Sequence, residues 1–255
     1  MANNDSIQKT LLVAVTLCIV CALVVSSAAV LLKPAQVANK ALDRKANILA
    51  AAGMLSADES VEKQFEKVTT RIVNLQTGKF SDQYSPDGFE QSQIAKDPAT
   101  SIALGEDDTA KIKRRENFAV VYMVEHDGEL DKIILPVRGA GLWSTLYGFL
   151  ALENDLNTVA GLGFYEHGET PGLGGEVDNP KWKALWPGKE VYDDGQVAIE
   201  LIKGSVDAST RNAENKVDGL SGATLTSRGV SNLVQFWMGD NGYKLFLENL
   251  RAGEA

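Results

Sequence analysis

The segment Asp218-Gly219-Leu220-Ser221-Gly222-Ala223-Thr224-Leu225-Thr226-Ser227 gathers hydroxyls and small residues. An apolar pattern at helical spacing follows it: Val230, Leu233, Val234, Trp237. A helix that begins here leaves its first backbone N–H groups unpaired and turns the positive end of its dipole outward, a setting that suits a phosphate. Gly222 and Ala223 have almost no side chain, so a bulky anion can approach the backbone. The same residues also read as turn and cap, because Asp-Gly is a turn signal and Ser or Thr before an apolar helix is an ordinary N-cap. Spacing alone leaves both readings open.

Two further segments carry polar and aromatic groups on irregular backbone. His167-Gly168-Glu169-Thr170-Pro171-Gly172-Leu173-Gly174-Gly175 is too rich in glycine and proline for regular structure. It is either a wide turn or the wall of a planar-ligand site, with Glu169 and Thr170 offering polar groups and Leu173 an apolar contact. Arg138-Gly139-Ala140-Gly141-Leu142-Trp143 is a Gly-rich turn whose Trp143 either packs on the domain or faces a ligand.

Other chemistries fit poorly. The chain has two histidines, His126 and His167, and His126 sits beside a hairpin turn. Gly219-Leu220-Ser221-Gly222-Ala223 fails the Gly-x-Ser-x-Gly pattern of a nucleophile elbow at its last position. Gly139-x-Gly141 and Gly161-x-Gly163 lack the third glycine of a dinucleotide fingerprint, and there is no Walker loop, so NADH is not expected to bind this chain. No His/Cys cluster has metal-ligand spacing, and no metal is expected. The formal net charge is −9 without any basic tract, which argues against nucleic acid.

The run Asp218 to Thr224 resembles the flavinylation motif of the FMN-binding domain family. In that family the Thr closing Ser/Thr-Gly-Ala-Thr is esterified to the phosphate of FMN. The resemblance makes Thr224 the acceptor, with Ser221, Gly222 and Ala223 shaping the phosphate pocket. Thr226 is a second hydroxyl, displaced from the acceptor position. Asp218 is a carboxylate near a phosphate, which costs energy; it either assists a transferase or its metal during attachment or caps the turn. Glu169-Thr170-Pro171-Gly172-Leu173-Gly174 resembles the segment of the same family that lies near the flavin ring, and Gly141-Leu142-Trp143 is a third match, putting Leu142 and Trp143 at the isoalloxazine. Two motifs in the right order, about fifty residues apart, argue against coincidence.

The whole chain, including an apolar N-terminal run, is similar to the C-subunit family of the Na+-translocating NADH:quinone oxidoreductases. The G-subunit family of Rnf electron-transport complexes is the close alternative; the longer chain and extended N-terminal region favour the former. The resemblance implies a redox subunit with covalent FMN. It would relay electrons inside a membrane complex that oxidises NADH, reduces ubiquinone and moves Na+, in company with the other subunits. A separate flavin transferase that uses FAD performs the attachment, so the isolated chain does not flavinylate itself. Two readings of other classes stay open: a reversible, non-covalent flavin-binding module, and a structural subunit whose Thr224 segment is only an N-cap.

These segments need elements to position them. Pro34 to Ala52 reads as a helix ended by Gly53, and a second helix capped by Asp58 or Ser60 reaches about Leu75, with Phe65, Val68, Ile72 and Leu75 on its apolar face. Thr77 to Thr109 is a polar, irregular excursion. Phe118–Val124 and Lys132–Val137 form a hairpin around Asp127-Gly128, and Thr145–Leu152 with Val159–Glu166 form another. Val197 to Ile202 is a strand, a helix follows Thr224 through Trp237, and Tyr243 to Leu250 is a last amphipathic segment. Helices at both ends around hairpins predict an α+β fold with a mostly antiparallel sheet and flanking helices.

Thr10 to Leu32 carries no charge over about 23 residues, enough to span a hydrocarbon core. It is longer than a signal-peptide core, although Ser26-Ser27-Ala28 mimics a cleavage site, and Val20 before Cys21 is too large for a lipoprotein signal. The expected organisation is an N-terminal transmembrane anchor over 1–33, a helical and irregular part over 34–116 and an FMN-binding domain over 117–255. Cys18 and Cys21, the two cysteines, share one face of the span; they read as half of a shared metal or cluster site or as small apolar residues. No carboxylate lies in the span, which argues against an ion path through this helix alone. Lys33, Lys40, Arg44 and Lys45 after the span outnumber Lys9 and the N-terminal amine before it; Asp5 also precedes it. Charge alone therefore keeps the C-terminal side cytoplasmic, although long domains translocate despite such charges. The resemblance puts a single-pass anchor in a bacterial inner membrane with a periplasmic soluble domain, and that is the reading adopted.

Overall fold

A computed structural model describes residues 6–255, which fall into two compact units divided between Arg44 and Lys45. Asp5 and the N-terminal amine lie outside the described residues.

From Ile7 on, the first unit is one stretch of helix. Helix α1 runs from Ile7 to Ala51 through Pro34 without interruption, and its N-terminal part is long and apolar enough to cross a membrane by length and composition. Large apolar side chains such as Leu11, Leu17, Leu23 and Val30 are exposed all round it. Cys18 and Cys21 are free thiols on this exposed surface. Past Arg44 the helix joins the second unit, where Ile48, Leu49 and Ala51 are buried, and Gly53 ends the turn with φ +68.

After Gly53 the second unit continues with a short helix, α2 (Val61–Phe65), capped by the Ser60 hydroxyl, which accepts from the Lys63 amide. The chain then turns into strand β1 (Val68–Asn74), not into the continuous helix to Leu75 that the spacing of Phe65, Val68, Ile72 and Leu75 suggests. The run Val68-Thr69-Thr70-Arg71-Ile72-Val73 is mostly β-branched, and pairing along β5 overrides a weak helical period. Short elements follow: β2 (Lys79–Phe80), α3 (Gln91–Ile94), β3 (Ser101–Ala103) and β4 (Arg114–Glu116). The long strands are β5 (Phe118–His126), β6 (Glu129–Ala140), β7 (Thr145–Glu153) and β8 (Val159–Glu166). After them come α4 (Pro180–Lys183), β9 (Tyr192–Asp193), β10 (Gln196–Val197), β11 (Glu200–Ile202), β12 (Lys216–Asp218), α5 (Thr224–Met238) and α6 (Lys244–Ala252). The single strand expected over Val197–Ile202 is thus broken, because the amides of Ala198 and Ile199 both turn to the Val191 carbonyl.

The main sheet has the order β2-β1-β5-β6-β7-β8, antiparallel throughout, whereas β11 and β12 pair in parallel. Both faces of the sheet are covered. Ala119, Val121, Met123, Ile133, Leu135 and Leu150 join a core shared with Leu233, Trp237 and Phe246 of α5 and α6. Phe118, Val120, Tyr122, Ile134 and Phe149 join a second core with Ile48 and Leu49. Burial on both faces explains why β5 reads as a nearly unbroken apolar run. Across the boundary expected at 116/117, β1 is hydrogen-bonded to β5 inside the sheet, and residues 45–255 form one compact unit.

Helix α5 lies against β6 at close range. A Cβ on Gly229 would come within 2.4 Å of the Ala140 carbonyl oxygen, so only glycine permits this distance. The Trp237 indole N–H donates to the Arg138 carbonyl at 2.8 Å and fixes the far end of the helix to the same strand. Trp182 does the same for β12, donating to the Asp218 carbonyl at 2.9 Å.

Candidate functional site

Strand β12 ends at Asp218, and the five residues before α5 make a tight turn. Gly222 has φ +72, a conformation that side chains disfavour. The Ser227 hydroxyl, buried in the first turns of α5, accepts from the Leu220 amide at 2.9 Å and donates to the Ala223 carbonyl at 3.1 Å. One internal hydroxyl therefore holds the turn shape. Ser227 was not singled out by sequence reasoning; its position four residues after Ala223, where a serine back-bonds to a carbonyl, is the signal it offers.

The start of α5 bears on both readings of this segment. Its N-cap residue is Ala223, and no side chain caps it. The hydroxyls of Ser221 and Thr224 do not serve as caps, so a 15-residue helix presents uncapped first-turn N–H groups. Thr224 is the first helical residue and is exposed, as are Ser221 and Gly222. Thr226 differs: it is fully buried, and its hydroxyl donates to Glu169 at 2.7 Å. It is not a second accessible acceptor, because it faces inward in the helix. One carboxylate oxygen of Asp218 accepts from the Val206 amide at 2.8 Å, and the Gly219 amide donates to the Gly204 carbonyl. Asp218 thereby ties the loop before β12 to the turn.

The other two segments meet this one. The turn Gly141–Ser144 connects β6 to β7, closed by the Gly141 amide on the Ser144 carbonyl at 2.8 Å. The loop after β8 runs under it: the Gly168 amide donates to the Ser144 hydroxyl at 2.7 Å. The Glu169 carboxylate receives the amides of Leu142 (3.2 Å), Trp143 (2.9 Å) and Ser144 (3.2 Å) as well as the Thr226 hydroxyl. Burial by itself would raise the Glu169 pKa; the hydrogen bond from Thr226 and the three backbone amides outweigh it and hold the group below the ordinary value. The Glu169 amide donates to Nδ1 of His167, whose Nε2 lies 2.7 Å from Asp178. With Nδ1 accepting, Nε2 carries the proton.

Thr170 is exposed, and its carbonyl accepts the amides of Leu173 and Gly175. Leu173 borders the motif turn, since a Cβ on Gly222 would lie 3.1 Å from its side chain. Large apolar side chains of the three segments are exposed: Trp143 is 71% exposed, Leu225 53%, Leu142 and Leu173 45% each. Exposed large apolar groups beside an uncapped helix N-terminus make a site for a ligand that joins an anion to a flat apolar body. FMN has that form, and these residues fit it. Among the described residues no cluster of His, Cys, Asp and Glu could hold a metal ion.

The FMN-binding domain family matches residues 141–239, a span that holds all three segments. The C subunit of the Na(+)-translocating NADH-quinone reductase of Pseudomonas aeruginosa is 57% identical with full coverage of both chains (100% and 100%). The Yersinia pestis protein of the same name is 49% identical, covering 98% of this chain and 96% of its own. The solved structure of Shewanella oneidensis NqrC superposes with a TM-score of 0.76 at 39% identity, covering 82% of this chain and 97% of that one.

Proposed function

Because this chain belongs to the C-subunit family of the Na+-translocating NADH-quinone reductases, we propose that Thr224 carries FMN through a phosphoester and that the site relays electrons within that complex. The chain is an oxidoreductase subunit with an FMN-binding domain, and the G-subunit alternative is set aside by its full-length relatives. The observation that carries the proposal is the uncapped start of α5 with the Thr224 hydroxyl exposed at its first residue.

When bound, FMN supplies the redox chemistry, and the protein supplies binding, orientation and electrostatics. The Thr224 oxygen would carry the ester bond, while the free amides of the first turn and the positive helix end would offset the phosphate charge. Gly222 would leave room for the phosphate, with Ser221 as a polar neighbour. The exposed side chains of Leu142, Trp143, Leu173 and Leu225 would offer apolar contacts to the ring. A covalent tether makes tight reversible binding unnecessary and keeps the effective concentration high. Attachment would need a separate flavin transferase that uses FAD, with the Thr224 hydroxyl as the acceptor. Glu169, Thr170 and Asp218 shape the site through the backbone.

We place α1 as a single anchor in a bacterial inner membrane, with the Lys45–Ala255 unit on the periplasmic side among the other subunits of the complex. An exposed apolar helix of this length is stable in hydrocarbon and not in water.

The test is intact mass and peptide mapping on denatured protein from cells that contain the transferase. An added FMN mass is expected on the peptide holding Thr224, and the Thr224→Val variant folds without it. Flavin lost on denaturation would instead mark a non-covalent module.

A further inference from the structure

The Glu169 carboxylate is the most heavily engaged polar group at the site, and every partner belongs to the protein. Oε1 accepts the amides of Trp143 and Ser144 and lies 3.4 Å from the Ser144 hydroxyl. Oε2 accepts the Leu142 amide and the Thr226 hydroxyl. A carboxylate has about four lone-pair sites, so these donors fill it. Glu169 is 5% exposed, and its neighbours are shaped around it: a Cβ on Gly141 would come within 2.5 Å of Oε1, and one on Gly174 within 2.6 Å of Oε2. The group has no capacity left for a ligand.

Its partners, however, carry or adjoin exposed groups of the site, Trp143 and Thr224. The three amides form the turn that displays Trp143, and Thr226 belongs to the first turn of α5, two residues after Thr224. These segments are far apart in sequence and are joined here through one side chain. We propose that Glu169 is a positioning residue: its carboxylate locks the 142–144 turn to the first turn of α5, so that Trp143 and the Thr224 hydroxyl face the same ligand. The lock itself needs only this chain; its use in holding a flavin rests on the function proposed above.

The buried side of the lock is specific in chemistry. Glutamine at 169 keeps one acceptor but turns an NH2 group toward backbone N–H donors, losing the bonds of one oxygen. Valine at 226 removes the hydroxyl donor at nearly constant shape, and serine restores it.

The experiment uses the full chain in detergent, prepared both without and with the transferase. On flavin-free protein, amide exchange is read at Leu142, Trp143 and Ser144 and, as a control, at Val121 and Leu150 in the sheet. Glu169→Gln is expected to speed exchange in the turn by about tenfold or more with the sheet unchanged. Thr226→Val speeds it at Leu142, which shares Oε2, and Thr226→Ser stays near wild type. On protein made with the transferase, the covalently loaded fraction falls in Glu169→Gln and Thr226→Val and recovers in Thr226→Ser. Turn exchange within about twofold of wild type in Glu169→Gln overturns the proposal, as does a Thr226→Ser variant that behaves like Thr226→Val. If Glu169→Gln does not fold, the valine and serine pair decides alone. A wild-type chain without covalent FMN sinks the reading of the site, whereas exchange on flavin-free protein still judges the lock.

Discussion

Glu169 and Thr226 meet across the site because each satisfies what the other lacks: a buried carboxylate needs donors, and a buried hydroxyl needs an acceptor. The folded pKa of Glu169 lies below its unfolded value, so its contribution to stability is present above the unfolded carboxyl range and is lost as pH falls through the folded value. Stability of the wild type should therefore decline as pH drops below about 4.3, with other carboxylates adding to the trend. Glu169→Gln should be less stable than wild type at pH 7, and the gap between them should narrow below about pH 4. Urea midpoints measured from pH 7 to pH 3 check this; a gap that stays constant over the range rules out the ionised lock. The types of these residues were legible in the sequence, and Glu169 stood in a motif. That its carboxylate serves the protein and not a ligand was not legible, because hydrogen bonds between residues 57 apart depend on how the chain folds.

Helix α5 does two jobs, closing the core with Val230, Leu233, Val234 and Trp237 and leaving its N-terminus open. Stability and ligand binding are therefore separable along one element. Ser227→Ala should remove two hydrogen bonds from the motif turn and cost about 1–2 kcal/mol in urea unfolding. Gly229→Ala should cost about 1–3 kcal/mol, since the new methyl meets the Ala140 carbonyl and the helix must move off β6. Thr224→Val, on an exposed position, should leave the urea midpoint within about 0.5 kcal/mol of wild type. An equal loss in all three variants would mean that the N-terminus of α5 is not independent of its core face. The helix was predicted from its spacing, and so were the hairpins from Asp127-Gly128 and the β-branched runs. The strand β1 was not, since its apolar residues mimic a helical period and only the pairing partner β5 distinguishes the two.

At the scale of the molecule the two units differ in what stabilises them. The Lys45–Ala255 unit buries both faces of its sheet, which is enough apolar material for independent stability. A chain beginning at Lys45 should be soluble and unfold in one cooperative urea transition, read by tryptophan fluorescence. The full chain should stay with membranes through an alkaline carbonate wash, and the shortened chain should not. Release of the full chain by that wash would remove the anchor from the account of α1. The apolar segment was evident from composition alone, whereas the extent of the second unit was not: the stretch before Phe118, read as helical and then irregular, contributes β1 and β2 to the main sheet.

Local residue types determined a good deal here without any help from the fold. An uncharged run long enough for a bilayer, turn residues between β-formers, and a hydroxyl-rich word before a helix each act through neighbours in the chain, so periodicity and composition report them. The tertiary structure decided what depends on residues distant in sequence. It turned Val68–Asn74 into a strand, buried Thr226 while exposing Thr224, and spent Glu169 on three backbone amides. It also left α5 uncapped, because the hydroxyl that organises the turn before it is Ser227, which points inward. The physical reason is that burial and hydrogen-bond satisfaction are properties of an environment, and that environment exists only once the hairpins, the loop after β8 and α5 have come together.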